Sequence, residues 1–343
     1  MTLVARTPSH LVFALVGIIY TLPAAAEDFY AGKQINFIVG AGVGGGYDHQ
    51  ARLVARHLGR HIPGNPGIIV QNMPAAGSIA ATNYMFSTAP KDGTTIALVQ
   101  RGMLLAKLTY PSGTRFEIDK FRWLTSLNSE TAVTLAWNAT SVHRTAKDLF
   151  EKELIVGGIV GVDPETTPRL YNSLLGTKFK VVTGYNSTAQ IALAIERGEV
   201  QGIGDFSWSS LKVVRPHWLS EKKITLLMQG ALKNEPELGN LPNALDFVKS
   251  PADRKVFELH FTQKMAARPV IAPPGVPAER INILISAFKA LGNDREFLAD
   301  AEKSRQEIAL VPSEEVEKVV SLIVSTPPEV AERYARAFAP DSK

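Results

Sequence analysis

Short apolar runs alternate with helical patterns along this chain, and that alternation limits its fold more than any other feature. Residues 35–39 form an apolar run of strand length. Residues 48–61 follow as a helix, with Ala51, Val54, Leu58 and Ile62 on one face. Pro63, Gly64, Asn65, Pro66 and Gly67 end it. Strand 68–71, helix 78–87 and strand 94–99 come next. The pattern restarts with strand 154–160, helix 164–175, strand 179–182, helix 187–197 and strands 200–203 and 224–227. A last strand at 268–271 precedes helix 278–291 and a helical C-terminal region. Repeated strand–helix units predict a parallel sheet covered by helices, here built twice, with no sequence repeat between the halves. Two α/β lobes with a ligand cleft between them is the expected architecture.

Two strand-to-helix junctions carry glycine. The first is Gly40, Ala41, Gly42, Val43, Gly44, Gly45, Gly46 and Tyr47, leading to Asp48. The second is Asn72, Met73, Pro74, Ala75, Ala76, Gly77 and Ser78. Ligands of such sheets bind outside the C-terminal strand ends, where both turns fall. A helix N-terminus offers unpaired N–H groups and a positive dipole end, and glycine lets a ligand approach the backbone. Two such turns side by side predict an anion site made of backbone, toward Gly44–Gly46. The competing reading is a glycine turn that only connects strand to helix. Gly40, Gly42 and Gly45 also satisfy a dinucleotide fingerprint. That motif wants an acid at the end of the second strand, and none occurs between Asp48 and Asp92.

The N-terminus reads as an export signal. Arg6 supplies the positive region, residues 11–22 the apolar stretch, and Ala24, Ala25 and Ala26 a small-residue cleavage site. The apolar stretch is shorter than the roughly 20 residues that span a bilayer. Export with cleavage after Ala26 is expected. Cysteine is absent from all 343 residues, so disulfides, thiol catalysis and thiolate metal sites are excluded. Net charge is +4, and loss of the signal with its single arginine leaves +3. That is too little for nucleic acid and mildly favours an anionic ligand.

Several side chains are candidates for the site, each with an alternative. Asp48 contacts ligand or caps its helix. Arg101 follows a strand end, where a guanidinium clamps a carboxylate or reaches solvent. Tyr47, Tyr185, Phe206 and Trp208 line an apolar slot or belong to the core. Asp205 accepts from a ligand hydroxyl or caps the next helix. His57 and His61 have metal-compatible spacing, but Arg52, Arg56 and Arg60 beside them point to a solvated basic face. Neither H-E-x-x-H nor G-x-S-x-G occurs, so no hydrolase nucleophile or metal is nominated.

At these same residues the chain resembles the periplasmic receptors of tripartite tricarboxylate transporters, the Bug-type solute-binding proteins. The likeness rests on the first turn through Ala51 and Arg52 and on the second turn from Asn72 to Ser78. It continues through Ala89, Pro90, Lys91, Asp92, Gly93, Thr94 and Thr95, then Gly184, Tyr185, Asn186 and Ser187. Arg197, Gly198, Glu199 and Val200 follow, and Ala272, Pro273, Pro274, Gly275, Val276 and Pro277 complete the ordered set. Gln201 stands where the family usually has Asp, and Ala75 and Ser78 where glycine is common.

The resemblance implies a two-lobed type II periplasmic-binding-protein fold without a cofactor. The expected divisions are signal 1–26, one lobe from 27–129 plus 262–343, and a second from 130–261. It implies a non-enzymatic, monomeric receptor that passes a small mono-, di- or tricarboxylate to the permease subunits of such a transporter. The expected ligand-binding residues are Val43, Gly44, Gly45, Gly46, Tyr47, Ala76, Gly77, Ser78, Arg101, Tyr185, Asp205 and Trp208. The alternatives are a secreted α/β enzyme acting on an anionic substrate and a receptor that reports to a sensor kinase.

Overall fold

A computed structural model describes residue 2 and residues 29–338; the rest of the expected export segment and its cleavage site lie outside the described residues. Two mixed sheets organise the chain. The first contains β1 (Gln34–Val39), β2 (Gly67–Asn72), β3 (Thr95–Leu98), β4 (Arg122–Ser126), β10 (Pro269–Ala272) and β11 (Val311–Pro312). The second contains β5 (Ala132–Trp137), β6 (Leu154–Gly158), β7 (Phe179–Thr183), β8 (Gly202–Ser207) and β9 (Ile224–Gly230). Spatial order is β11-β4-β10-β3-β1-β2 in the first and β7-β6-β8-β5-β9 in the second.

The two-lobed expectation holds, but neither sheet is all parallel. β1 pairs in parallel with β2 and β3, whereas β10 inserts antiparallel between β3 and β4. In the second sheet β6 pairs in parallel with β7 and β8, and β5 runs antiparallel to both β8 and β9. β4 and β5 bracket the chain's passage from the first sheet to the second. Sequence periodicity did not reveal them, because Trp123, Leu124, Val133 and Leu135 are buried in short runs with no helix or strand period to read.

The longer helices are α1 (Gly46–His57), α2 (Ile79–Ser87), α3 (Asp163–Leu175), α4 (Thr188–Glu196), α5 (Trp208–Val214), α6 (Pro251–Thr262), α7 (Ala278–Leu291), α8 (Arg295–Lys303), α9 (Ser313–Val324) and α10 (Pro328–Arg336). Among the described residues, no helix is long and apolar enough to cross a membrane. Ile35, Phe37, Ile38 and Val39 of β1 are all buried, as a central strand covered on both faces requires. β2 at the sheet edge alternates exposed and half-buried residues. Ala51, Val54, Leu58 and Ile62 are buried, so the helical stripe read from the sequence does face the core. Ser187 caps α4 by accepting from the Gln190 N–H, and Ser250 caps α6 by accepting from the Asp253 N–H.

The basic face of α1 departs from expectation. It docks on α8 and is not simply solvated. Arg56 and His57 meet Asp300, at 2.9 Å each, while His61 meets Asp294 at 2.7 Å and Arg60 pairs with Asp294 and Glu296. No cluster of metal-ligating side chains occurs among the described residues.

One buried apolar cluster runs continuously from Ile79, Met85 and Phe121 of the first lobe to Ile191, Phe206 and Trp218 of the second. The lobes therefore sit in contact, with both glycine turns at the junction. The Gly42 N–H donates to the Asn186 carbonyl at 3.0 Å across it. Gly77 lies so close to the second lobe that a Cβ there would stand 2.0 Å from the Val160 carbonyl oxygen, and its φ is +58°. Only glycine allows both that approach and that backbone conformation at no steric cost.

Candidate functional site

The first turn holds itself in shape through Asp48. Its carboxylate accepts from the Gly44 N–H at 3.0 Å, from Asn72 Nδ2 at 2.9 Å and from Arg52. Burial opposes ionisation, but these donors hold the Asp48 carboxyl below the usual range. Asn72 also donates to the Ala41 carbonyl at 2.9 Å, so the second turn braces the first. Gly45 is the N-cap of α1 and makes no side-chain cap bond. The N–H groups of Gly46, Tyr47 and Asp48 then open the helix without a hydrogen-bond partner among the described residues. The positive end of α1 thus keeps unpaired donors at the junction.

The expected site residues divide into groups. Gly44, Gly45, Gly46 and Tyr47 face the junction region, while Val43 is 66% exposed. Ala76, Gly77 and Ser78 form a tight turn with positive φ at all three residues, and helix α2 starts one residue later than expected. The Ser78 hydroxyl accepts from the Gln100 N–H at 3.1 Å. Tyr185 is half-buried and packs on the core. Trp208 begins α5, donates from Nε1 to Glu237 at 2.6 Å, and lines a separate cavity of about 370 Å³ with Glu130 and Met265. Phe206 is fully buried in the core.

Arg101 and Asp205, expected as separate ligand contacts, are bonded to each other. Asp205 lies inside β8, not beyond its end. Arg101 opens the turn Arg101–Leu105 after β3 and is 5% exposed. Its guanidinium donates to Asp205 Oδ1 at 2.9 Å, to Ser207 Oγ at 3.0 Å and to Asp163 at the start of α3. Lys264 Nζ donates to Asp205 Oδ2 at 2.7 Å, and Gln263 donates to Asp163 at 3.1 Å. Burial works against the Arg101 charge, but Asp163, Tyr47 and Asp205 raise its pKa above the ordinary value. The Asp163 carboxyl is lowered, because Arg101 and Lys264 outweigh its burial. The side chain expected to clamp a ligand carboxylate clamps two of the protein's own.

A proton-donor chain extends from this cluster. The Thr167 hydroxyl donates to Asp205 Oδ2 at 3.0 Å. With that proton committed, His260 Nε2–H donates to Thr167 Oγ1 at 2.9 Å, and His260 Nδ1 accepts from the Tyr334 hydroxyl at 2.9 Å. His260 is neutral in this arrangement. Burial, with Lys264 and Arg101 and against Asp163, depresses its pKa to about 3.

A second arginine at the junction, Arg268, was not singled out in the sequence beyond its place in a strand. It directly precedes β10 and is 1% exposed. Its guanidinium lies 4.1 Å from the Tyr47 ring centroid and donates to Ser210 Oγ of α5 at 2.6 Å. Glu130 is 3.7 Å away and already accepts from Ser209. Arg268 Nε has no partner among the described residues. Burial lowers the Arg268 pKa despite Tyr47 and Glu130. Tyr47 links the two arginines: its hydroxyl accepts from the Arg101 N–H at 3.1 Å and donates to the Ala267 carbonyl at 2.9 Å.

Two small cavities mark the junction. One of about 30 Å³ is lined by Tyr47, Arg101, Asp163, Thr188, Asp205 and Ser207. The other, of about 10 Å³, is lined by Gly46, Gln50, Ser210, Arg268 and Gln306, among others. Each has room for about one water.

Both sheets, their flanking helices and the junction between them define the type II periplasmic-binding-protein architecture. The structure is similar to that of the periplasmic binding protein BugD, with TM-score 0.70 and 18% identity over 90% of this chain and 98% of that one. It is similar to R. palustris Rpa4515 with adipate, with TM-score 0.70 and 18% identity over 89% and 98%. MatC from Rhodopseudomonas palustris with bound malate gives 0.65 and 18% over 90% and 99%. No family model matches the sequence, and no curated protein matches it.

Proposed function

We propose that this protein is an exported receptor that captures a small carboxylate at the junction of its lobes and hands it, unchanged, to a membrane permease of the tripartite tricarboxylate type. The observation that carries this reading is the positive end of α1, with unpaired N–H groups, and the buried guanidinium of Arg268 beside Gly46 of the same lobe. The adipate and malate recorded with two proteins of the same fold support a carboxylate. Ligand entry requires the lobes to part, because the junction cavities hold little more than water.

Thermal-shift and calorimetric titration with acids, amines and neutral sugars test the reading. A cognate acid at 100 times its dissociation constant should add about 2.7 kcal/mol of stability. The recovered acid should be chemically unaltered, which separates a receptor from an enzyme. Stabilisation by amines or sugars, with none by any acid, would overturn it. N-terminal sequencing of exported protein checks the proposed cleavage after Ala26.

A further inference from the structure

Resting on that reading, we infer that the ligand is a hydroxy-substituted carboxylate, its carboxylate held by Arg268 and the N-terminus of α1 and its hydroxyl by Gln50. Three features converge on the small cavity between α1 and α5. Gly46, the first residue of α1, is stripped of a side chain where the guanidinium passes; a Cβ there would stand 3.1 Å from Arg268 Nη2 and 2.0 Å from Ser210 Oγ. Arg268 supplies a buried, unpartnered Nε–H. With the α1 N–H groups it makes a charged donor set that matches a carboxylate.

Gln50, one turn further along α1, fixes the second half of the chemistry. Its Nε2 donates to the Glu307 carbonyl at 3.1 Å, which settles the orientation of the amide. Its Oε1 is then a buried acceptor without a partner among the described residues. Gln306 leaves its own Oε1 unpartnered on the same wall. A carboxylate cannot satisfy such an acceptor, because it brings no proton. A hydroxyl on the ligand can. The cavity is therefore lined by an unpartnered donor of Arg268 and by unpartnered acceptors of Gln50 and Gln306.

The cavity belongs to both lobes. Gly46 and Gln50 come from α1, Ser210 from α5, and Arg268 from the residue just before β10 of the first sheet. Parting the lobes separates Ser210 from Arg268 and exposes both nitrogens of the fork. Arg101 leaves Asp163, Asp205 and Ser207 in the same movement, but on closure those two carboxylates take its charge back, whereas Arg268 regains only the Ser210 hydroxyl as a direct side-chain acceptor.

Matched pairs of acids test the inference on the full mature protein: malate with succinate, lactate with propionate, mandelate with phenylacetate. In any pair that binds, the hydroxy acid is expected to be at least tenfold tighter, since a site built for a hydroxyl rejects the analogue lacking it. Gln50→Met should remove the preference, bringing each hydroxy acid to within about twofold of its plain partner. Arg268→Gln should weaken both members roughly ten- to a hundredfold, the loss of a charged hydrogen bond. Should that variant fail to fold, Ser210→Asp places a competing carboxylate beside Arg268, and should raise the melting temperature while abolishing binding. Equal affinity within every binding pair would overturn the inference and leave the receptor reading intact. So would unchanged affinity in a folded Arg268→Gln protein, or in Ser210→Asp with a raised melting temperature. Binding of no acid by the wild type would overturn both.

Discussion

Arg101 and Arg268 are both buried at the lobe junction, and both touch Tyr47, yet their surroundings are opposite. Arg101 meets two carboxylates and a hydroxyl directly, and the second lobe supplies all three. Among the described residues, Arg268 has one direct side-chain acceptor, Ser210, an acid no nearer than 3.7 Å, and an unpartnered Nε. A buried charge with full compensation holds parts of a protein together. A buried charge without it costs stability unless something else supplies the counter-charge. The difference separates a latch from a receiver. Arg101 joins β3 to α3 and β8 in the closed arrangement. Arg268 is the charge that the proposed carboxylate would meet.

Substitution of each arginine should break this contrast if it is wrong. Arg101→Met leaves Asp163 and Asp205 with Lys264 as their one bonded cation, beside the neutral donors Gln263 and Thr167. Removal of one partner from a buried pair costs about 3–5 kcal/mol. Arg268→Met orphans only the Ser210 hydroxyl and a carboxylate that Ser209 already satisfies. Its cost should stay below about 2 kcal/mol, the scale of one hydrogen bond and one stacked contact. Urea unfolding of both variants gives the comparison. Equal losses would mean that the two arginines have the same structural role.

Acid should loosen the Arg101 side of the junction through His260. Its folded-state pKa of about 3 lies below the ordinary value of 6.5. Between those values the unfolded chain binds a proton that the folded chain refuses, so stability rises with pH there. The contribution is complete above about pH 6.5 and is lost progressively toward pH 3. At pH 5 the loss should be about 2 kcal/mol relative to pH 7.5. The depressed carboxyls of Asp163 and Asp48 act lower, because their contributions persist until the pH falls below the ordinary Asp range. His260→Gln should flatten the slope between pH 5 and 7.5 in urea titrations. An unchanged slope would place the titrating group elsewhere.

Local pattern made the framework legible and left the junction dark. β1, β2 and the first glycine turn could be read because strand period, helix period and turn residues sit within a few positions of one another. The candidate residues 44–47 emerged from that reading. Asp163, Gln263, Lys264 and His260 did not, because they reach Arg101 and Asp205 only through tertiary packing, from more than 60 residues away in the first case. Arg101 was located as a strand-end guanidinium, but nothing local said that two carboxylates would meet it. Arg268 did leave a trace: it is a charge at the head of the buried run Pro269–Ala272. A charged residue at the edge of such a run needs a partner, and the sequence named none.

The two adjacent glycines at the start of α1 offer the finest test of the same contrast. Gly45 has φ −85°, and a Cβ on it would meet Ser187 and Thr188 at 3.5 Å, which is ordinary contact. Gly46 is different: its Cβ would collide with Ser210 Oγ and crowd Arg268. Gly46→Ala should therefore cost about 1–3 kcal/mol by overpacking and shift the lobes toward an open arrangement. Gly45→Ala should change stability by less than about 0.5 kcal/mol. Small-angle scattering and urea unfolding of the two variants would show it. If Gly45→Ala proves the more damaging, the close approach that matters is on the α4 side of the turn, and the α1–α5 contact beside Arg268 is not the sensitive one.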